Sequence, residues 1–151
     1  MLEGENKPYD LLEHTADAMV RVRGSGLEQL LENAAFAMFD LQYGLENVDE
    51  SEERVVEAAA PDREMLLVRL LTMLLSVSEA EGLVFRRFEV AVKRDARTPS
   101  GASSPFVARC TARGSRFDPA RHERHIHVKA VTYHMLEVDE GKGEAVIVFD
   151  K

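Results

Sequence analysis

Two aspartates stand where predicted strands end, and their carboxylates are the groups in this sequence best suited to bind a metal ion. Asp17 closes a Glu-His-Thr-Ala-Asp stretch at 13–17, and Asp150 follows the apolar run 145–149. If the two strands are neighbours, these oxygens can bind a hard divalent cation such as Ca²⁺ or Mg²⁺, with main-chain carbonyls and water completing the coordination. The alternative is structural: Asp17 caps a turn and Asp150 lies in solvent, as loop aspartates commonly do.

Three histidines are spaced as in some metal clusters. His122, His125 and His127 form an H-x-x-H-x-H pattern. A zinc site usually needs a third and a fourth ligand in place, and no cysteine lies nearby. We therefore interpret this stretch as a polar loop that enters a strand and carries surface histidines.

Nucleophilic chemistry has little support in the sequence. No serine occupies a nucleophile elbow, and Cys110 lies in an alternating strand pattern, where a small core residue is expected. The glycine pairs at 24–26 and 141–143 are too short for a phosphate-binding loop, so we predict turns there. A basic group formed by Arg86, Arg87, Lys93, Arg94 and Arg97 could contact RNA phosphate, but a solvated strand edge is the favoured interpretation.

The composition is that of a folded, acidic protein. The chain has 151 residues, 45% of them hydrophobic and 30% charged, which predicts one domain over 1–151. Its net charge of −8 argues against a protein that binds nucleic acid mainly through its own charge. A lone cysteine suits a reducing compartment. Because no signal peptide or membrane span is evident, we expect a cytoplasmic protein with no membrane contact.

Hydrophobic periodicity predicts the elements that position these residues. Ser25 and Glu28 suggest a capping box for a first helix that ends near Leu41, and a second helix is predicted between Asp62 as N-cap and a left-handed Gly82. Strands are predicted over 9–12, 19–23, 53–60, 83–92, 106–111, 126–133, 135–138 and 145–149. Early helices followed by a run of strands predict an α+β two-layer sandwich, mostly an antiparallel sheet with two helices packed on one face.

Four blocks of the sequence together resemble one known family. They are Tyr-Asp-Leu-Leu-Glu-His-Thr-Ala-Asp at 9–17, Leu-Glu-Asn-Ala-Ala-Phe-Ala-Met-Phe-Asp at 31–40, Lys-Ala-Val-Thr-Tyr-His at 129–134 and Val-Ile-Val-Phe-Asp at 146–150. In this order, across nearly the whole chain, they are similar to the archease family. Archeases are small acidic α+β proteins that assist the RtcB-type RNA ligase of tRNA splicing.

The resemblance implies an activator and not an enzyme. Such a protein promotes guanylylation of the ligase's active-site histidine and so allows multiple turnovers, with RNA contact at most indirect. The acidic net charge fits a basic, RNA-binding partner. Two alternatives remain: a general chaperone or protein-stabilising module, and a metal-dependent hydrolase built on Asp17 and Asp150.

The resemblance also implies a metal site. The family's ligands match Asp17, Asp150 and the residue after it, Lys151. An apolar residue usually follows the last aspartate in the family, and an ammonium has no lone pair, so Lys151 could contribute only a main-chain or terminal carboxylate oxygen. The expected ion is calcium, with magnesium or manganese as alternatives. Asp40 is a candidate extra carboxylate.

The matching blocks also contain His14, Lys129 and His134. Neither the residues nor the resemblance assigns them a role.

Overall fold

The predicted α+β class and the antiparallel pairing are confirmed. A computed structural model describes residues 7–13, 16–98 and 100–151. In these ranges the chain forms two α-helices, α1 (Gly26–Gln42) and α2 (Arg63–Glu81), and seven strands that pair only in the antiparallel sense. In chain order the strands are β1 (Tyr9–Glu13), β2 (Asp17–Arg23), β3 (Glu52–Ala60), β4 (Leu83–Arg97), β5 (Ser103–Arg116), β6 (Ala130–Asp139) and β7 (Glu144–Asp150).

The strands divide between two sheets, a division that hydrophobic periodicity does not reveal. One sheet has the order β1-β2-β7-β6 and the other β3-β5-β4. Helix α1 contacts β2 of the first sheet and β4 of the second, while α2 contacts β6 and β3. Each helix therefore packs against both sheets. This explains why α1 buries most of its surface, from Leu27 to Gln42, and not a single stripe.

Local chemistry sets the ends of α2 as the sequence predicts. The Asp62 carboxylate accepts a hydrogen bond from the main-chain N–H of Met65 at 2.8 Å, which satisfies one of the free donors of the first turn. At the other end Gly82 adopts φ +66°, and its N–H donates to the carbonyl of Ser78. A residue without Cβ takes this left-handed conformation at little cost.

The predicted capping box of α1 is wrong. The Ser25 side chain makes no capping hydrogen bond; instead its main-chain N–H donates to Oε1 of Gln29 at 2.6 Å. Glu28 accepts a hydrogen bond from the N–H of Val92 in β4, at 2.8 Å. A tertiary contact to the second sheet thus replaces the local one.

The connection from β5 to β6 crosses the carboxyl end of α1, and it corrects the predicted strand 126–133. The N–H of His125 donates to the carbonyl of Gln42 at 2.7 Å, and the N–H of Ile126 to that of Leu41 at 3.3 Å. Val128 then donates to Oε1 of Gln42 at 3.4 Å. These N–H groups are hydrogen-bonded to oxygen acceptors at the carboxyl end of α1 and are therefore not available to a neighbouring strand. As a result, β6 begins only at Ala130.

Glu140, in the β6–β7 turn, binds two arginines that come from other elements. Its carboxylate pairs with Arg63 at the start of α2 and, at 2.8 Å, with Arg94 of β4. Both guanidinium groups also stack over the ring of Phe106. Burial of the carboxyl raises its pKa, but the hydrogen bonds and charges of the two arginines together outweigh burial, so the pKa of Glu140 is below its ordinary value.

Replacing Glu140 with glutamine is expected to lower the free energy of unfolding by about 1 kcal/mol at pH 7. Since the folded state holds this pKa below the ordinary value of 4.5, the stabilisation is present above that value and disappears as the pH falls through the lowered one. Urea unfolding of both proteins from pH 7 to pH 3 measures the difference. The control is Glu137→Gln, an exposed carboxylate in β6 without an ion pair in the described chain. A difference between wild type and Glu140→Gln that stays constant with pH would contradict the assignment.

No helix in the described ranges is long and apolar enough to cross a membrane.

Candidate metal centre

The structure places Asp17 and Asp150 directly opposite each other. Strands β2 and β7 pair antiparallel without a break from Asp17 and Asp150 at one end to Arg23 and Glu144 at the other. The adjacency of these two strands, on which the sequence-based metal site depends, is therefore confirmed. Metal binding itself stays a prediction.

Alternation along β2 and β7 decides which way the two carboxylates point. Ala18, Val20 and Val22 are fully buried, and their partners Phe149, Ile147 and Ala145 are buried as well. These residues face the helices, and successive side chains of a strand lie on opposite faces. Asp17 comes directly before Ala18, and Asp150 directly after Phe149. Both carboxylates are therefore exposed on the outer face, at the end of the sheet.

The two carboxylates are like charges that face each other at the end of the sheet. Residues directly opposite on an antiparallel pair have Cβ atoms about 4.5–5.5 Å apart, where like charges are destabilising. Neither side chain forms an ion pair or hydrogen bond with any residue in ranges 7–13, 16–98 and 100–151. A divalent cation bound between them would remove this repulsion, so the donor set fits the ion that the sequence suggests.

Two lysines flank the pair. The main-chain N–H of Lys129, just before β6, donates to the Asp150 carbonyl at 2.7 Å, which holds the last residue of β7 in place. Lys151 follows β7 and is partly buried. Its ammonium cannot bind a cation, so only a main-chain oxygen of Lys151 would complete the set.

The described residues form an incomplete site. Calcium takes six to eight oxygens, whereas two carboxylates supply four at most. Within the described ranges, no group of three or more histidine, cysteine, aspartate or glutamate side chains is arranged to hold a metal. His14 and Thr15 lie outside the described residues. The remaining ligands would be main-chain oxygens, water or atoms of a partner.

The histidine pattern does not form a metal cluster. His122 is buried and uses both ring nitrogens for the fold: Nδ1 accepts from the N–H of Asp118 at 2.9 Å, and Nε2 bonds the carbonyl of Asn47 at 3.1 Å. His125 and His127 are exposed. The interpretation as a polar loop is correct for these two, while His122 fixes the loop after β5.

Asp40, the candidate extra carboxylate, already has two partners. It lies in the last turn of α1, where it accepts a hydrogen bond from the Tyr9 hydroxyl at 2.6 Å and pairs with Lys7 at 2.7 Å. Burial and the Asp40 carboxylate raise the pKa of Tyr9 well above its usual range. Asp40 thus joins β1 to α1, a role that spacing in the sequence does not signal.

Cys110 is a core residue, as predicted. It is fully buried in β5, opposite Val56 and Val90. Burial raises the pKa of its thiol to about 12, so the thiolate needed for nucleophilic chemistry is not populated near neutral pH.

Comparison with known proteins decides the family. The archease protein family matches residues 9–150. The chain belongs to the archease family. An archease from Pyrococcus abyssi is 37% identical over 147 residues, which cover 95% of this chain and 99% of the relative.

Solved structures agree with this assignment. The solution structure of protein 1598 from Methanobacterium thermoautotrophicum has a TM-score of 0.80 at 32% identity and covers 95% of this archease and 99% of that chain. An archease from Thermotoga maritima, described as a possible chaperone, has a TM-score of 0.57 at 21% identity and covers 94% and 96%; it supports the fold alone.

The archease block at 129–134 forms the start of β6 and an outward bulge. Thr132 pairs with Val148 and its hydroxyl donates to that residue's carbonyl at 3.0 Å. The pairing resumes only at Glu137, and Met135 between them has φ +55°. The bulge leaves Tyr133 and Met135 more than half exposed. Sequence reasoning missed it, since no glycine marks the left-handed position.

Proposed function

We propose that this archease is an accessory factor of the RtcB-type tRNA-splicing RNA ligase, promoting guanylylation of the ligase and multiple turnover. Membership of the archease family supports the assignment. The observation that carries it is the pair of facing, exposed carboxylates of Asp17 and Asp150 at the end of the first sheet.

The pair gives the proposed activator a means of acting. A divalent cation, calcium as first candidate and magnesium or manganese as alternatives, would be held by Asp17, Asp150 and a main-chain oxygen of Lys151. Both carboxylates are exposed, so an ion bound there would be accessible to a partner. It would order the end of the sheet and contribute to docking on the ligase, where it would help to deliver or order a metal or nucleotide.

Net charge supports the choice of partner. The chain carries −8, and a ligase that holds RNA presents basic surface. Opposite net charges steer two proteins together and raise their association rate.

Ligation of pre-tRNA halves by the cognate ligase tests the proposal. With limiting ligase and archease at one tenth of the ligase concentration, product is expected to exceed the ligase concentration severalfold; without archease it should stop near one product per ligase. A yield capped at one turnover in both reactions would refute the proposed function.

A second candidate, a protein-stabilising chaperone, is favoured by one surface. Tyr133 of β6 and Met73 of α2 line one cavity and are 56% and 38% exposed. Met135, two residues beyond Tyr133, is 59% exposed. Exposed apolar patches of this kind mark sites that contact other proteins. A holdase would suppress aggregation of unrelated clients at about one molecule per client, whereas an activator works below stoichiometry and only on its ligase.

A further inference from the structure

The hairpin formed by β4 and β5 carries a local excess of positive charge in this acidic protein. Residues 93–109 contain Lys93, Arg94, Arg97 and Arg109 against the single carboxylate of Asp95. The hairpin is longer than the strands predicted over 83–92 and 106–111: β4 continues to Arg97 and β5 starts at Ser103. The extension places these cations on ordered strands.

The structure separates the basic group of the sequence into two sets. Arg86 and Arg87 pair with Glu50, and Arg94 pairs with Glu140, so these three are engaged in the fold. Lys93 and Arg97 instead lie beside Arg109 of β5. The second set, Lys93, Arg97 and Arg109, is called the basic cluster below.

The basic cluster lines a cavity of about 360 Å³ on the outer face of the second sheet, together with Thr98 and one carboxylate, Glu57. Its apolar lining comes from Ala91 and Val107. The register explains the grouping: Ala91 pairs with Arg109 and Lys93 with Val107, so all four side chains project from the same face.

The cations of the basic cluster retain unused hydrogen-bond donors. The ammonium group of Lys93 has no ion pair in the described ranges. Arg97 donates from one nitrogen to the carbonyl of Gly101 at 2.9 Å, and Arg109 makes one contact of 3.3 Å with Glu57 while 61% of its side chain stays exposed. A guanidinium has five N–H donors, so most of them point to solvent.

We propose that the basic cluster binds the phosphodiester backbone of single-stranded nucleic acid. Lys93 and Arg97 are four residues apart on β4, about 13 Å along the strand, which suits an extended polyanion better than a single phosphate ion. β4 is the edge strand of its sheet, but the basic cluster projects from the face of the sheet and not from that edge, so binding there depends on charge and not on main-chain pairing. The ligand must therefore carry a negative charge on every unit of its backbone, as a nucleic acid does.

The inference is independent of the proposed metal centre, which lies in the other sheet. It also departs from the sequence-based expectation that RNA contact is at most indirect. Under this proposal archease touches nucleic acid directly, through phosphate and without base readout.

Fluorescence anisotropy with a labelled 12-nucleotide RNA tests the proposal. Lys93→Glu is expected to weaken binding about tenfold and to reduce the slope of log K against log[salt] by about one. The matched control is Lys142→Glu, the same charge reversal at an exposed lysine of the β6–β7 turn, which should change affinity less than twofold. Circular dichroism verifies that both variants are folded.

Three competitors define the ligand. A DNA strand of the same sequence should displace the RNA, while inorganic phosphate or a mononucleotide should do so only at far higher concentration. Equal losses in the two lysine variants, absence of RNA binding at low salt, or displacement by poly-glutamate of equal charge as effective as by DNA would each overturn the proposal.

Discussion

Replacing Asp17 with asparagine is expected to reduce archease-dependent ligation at least tenfold, because half of the charged donor set is lost. The same change should raise the free energy of unfolding in metal-free buffer by about 0.5 kcal/mol, since it removes one of two like charges that face each other across the β2–β7 pair. A loss of function together with a gain of stability separates a metal ligand from a residue that supports the fold.

Glu137→Gln is the matched control. Glu137 is exposed in β6 of the same sheet and forms no ion pair with a described residue. It should leave ligation unchanged.

Titration with calcium adds a readout that needs no ligase. A cation at one hundred times its Kd stabilises the wild type by about 2.7 kcal/mol, and the thermal shift should vanish in Asp17→Asn and Asp150→Asn. If archease carrying Asp17→Asn stimulates ligation as strongly as the wild type, the two carboxylates have no role in activating the ligase. Absence of any calcium, magnesium or manganese shift in the wild type would refute metal binding by archease alone.

The largest expected effect on stability comes from Gly114→Ala. A Cβ at this position would lie 1.9 Å from the carbonyl oxygen of Val84 and 2.7 Å from Cα of Phe85, both main-chain atoms that cannot rotate away. The strands approach this closely where the β4–β5 register shifts, between Phe85 and Arg87. We expect a loss of about 3 kcal/mol and a decrease in Tm of about 6–12 °C.

Gly141→Ala is the corresponding control. A Cβ there meets only the Asp139 carboxylate, at 3.3 Å, and this side chain can adjust. Differential scanning calorimetry compares the two variants. Equal melting temperatures of the two variants would show that the strands at the register shift can move apart without loss of stability.

Elements whose limits depend on local chemistry could be predicted from the sequence. Asp62 and Gly82 delimit α2 through contacts within one turn, so the residue types suffice. The capping box of α1 failed because Glu28 is used by Val92, more than sixty residues away in sequence. Likewise the strand predicted over 126–133 lost its first residues to the end of α1. In both cases a distant hydrogen-bond partner replaced the local one.

The candidate site depends on register, which residue patterns constrain only weakly. Spacing identified Asp17 and Asp150 as carboxylates at strand ends, but their direct opposition follows from the order β1-β2-β7-β6. The involvement of Asp40 with Tyr9 and Lys7 could not be deduced, since it requires the packing of α1 against β1.

The pairing of β2 with β7 has a consequence for how the protein is made. These are the second and the last strands of the described chain, and they lie at the centre of their sheet. Their contacts close a loop that contains every element from α1 to β6, and such non-local pairings form late in folding. On the ribosome β2 must therefore wait for β7, with one edge open until β7 has been made. The two carboxylates meet only when this step is complete, so the candidate site exists only in chains that have finished folding.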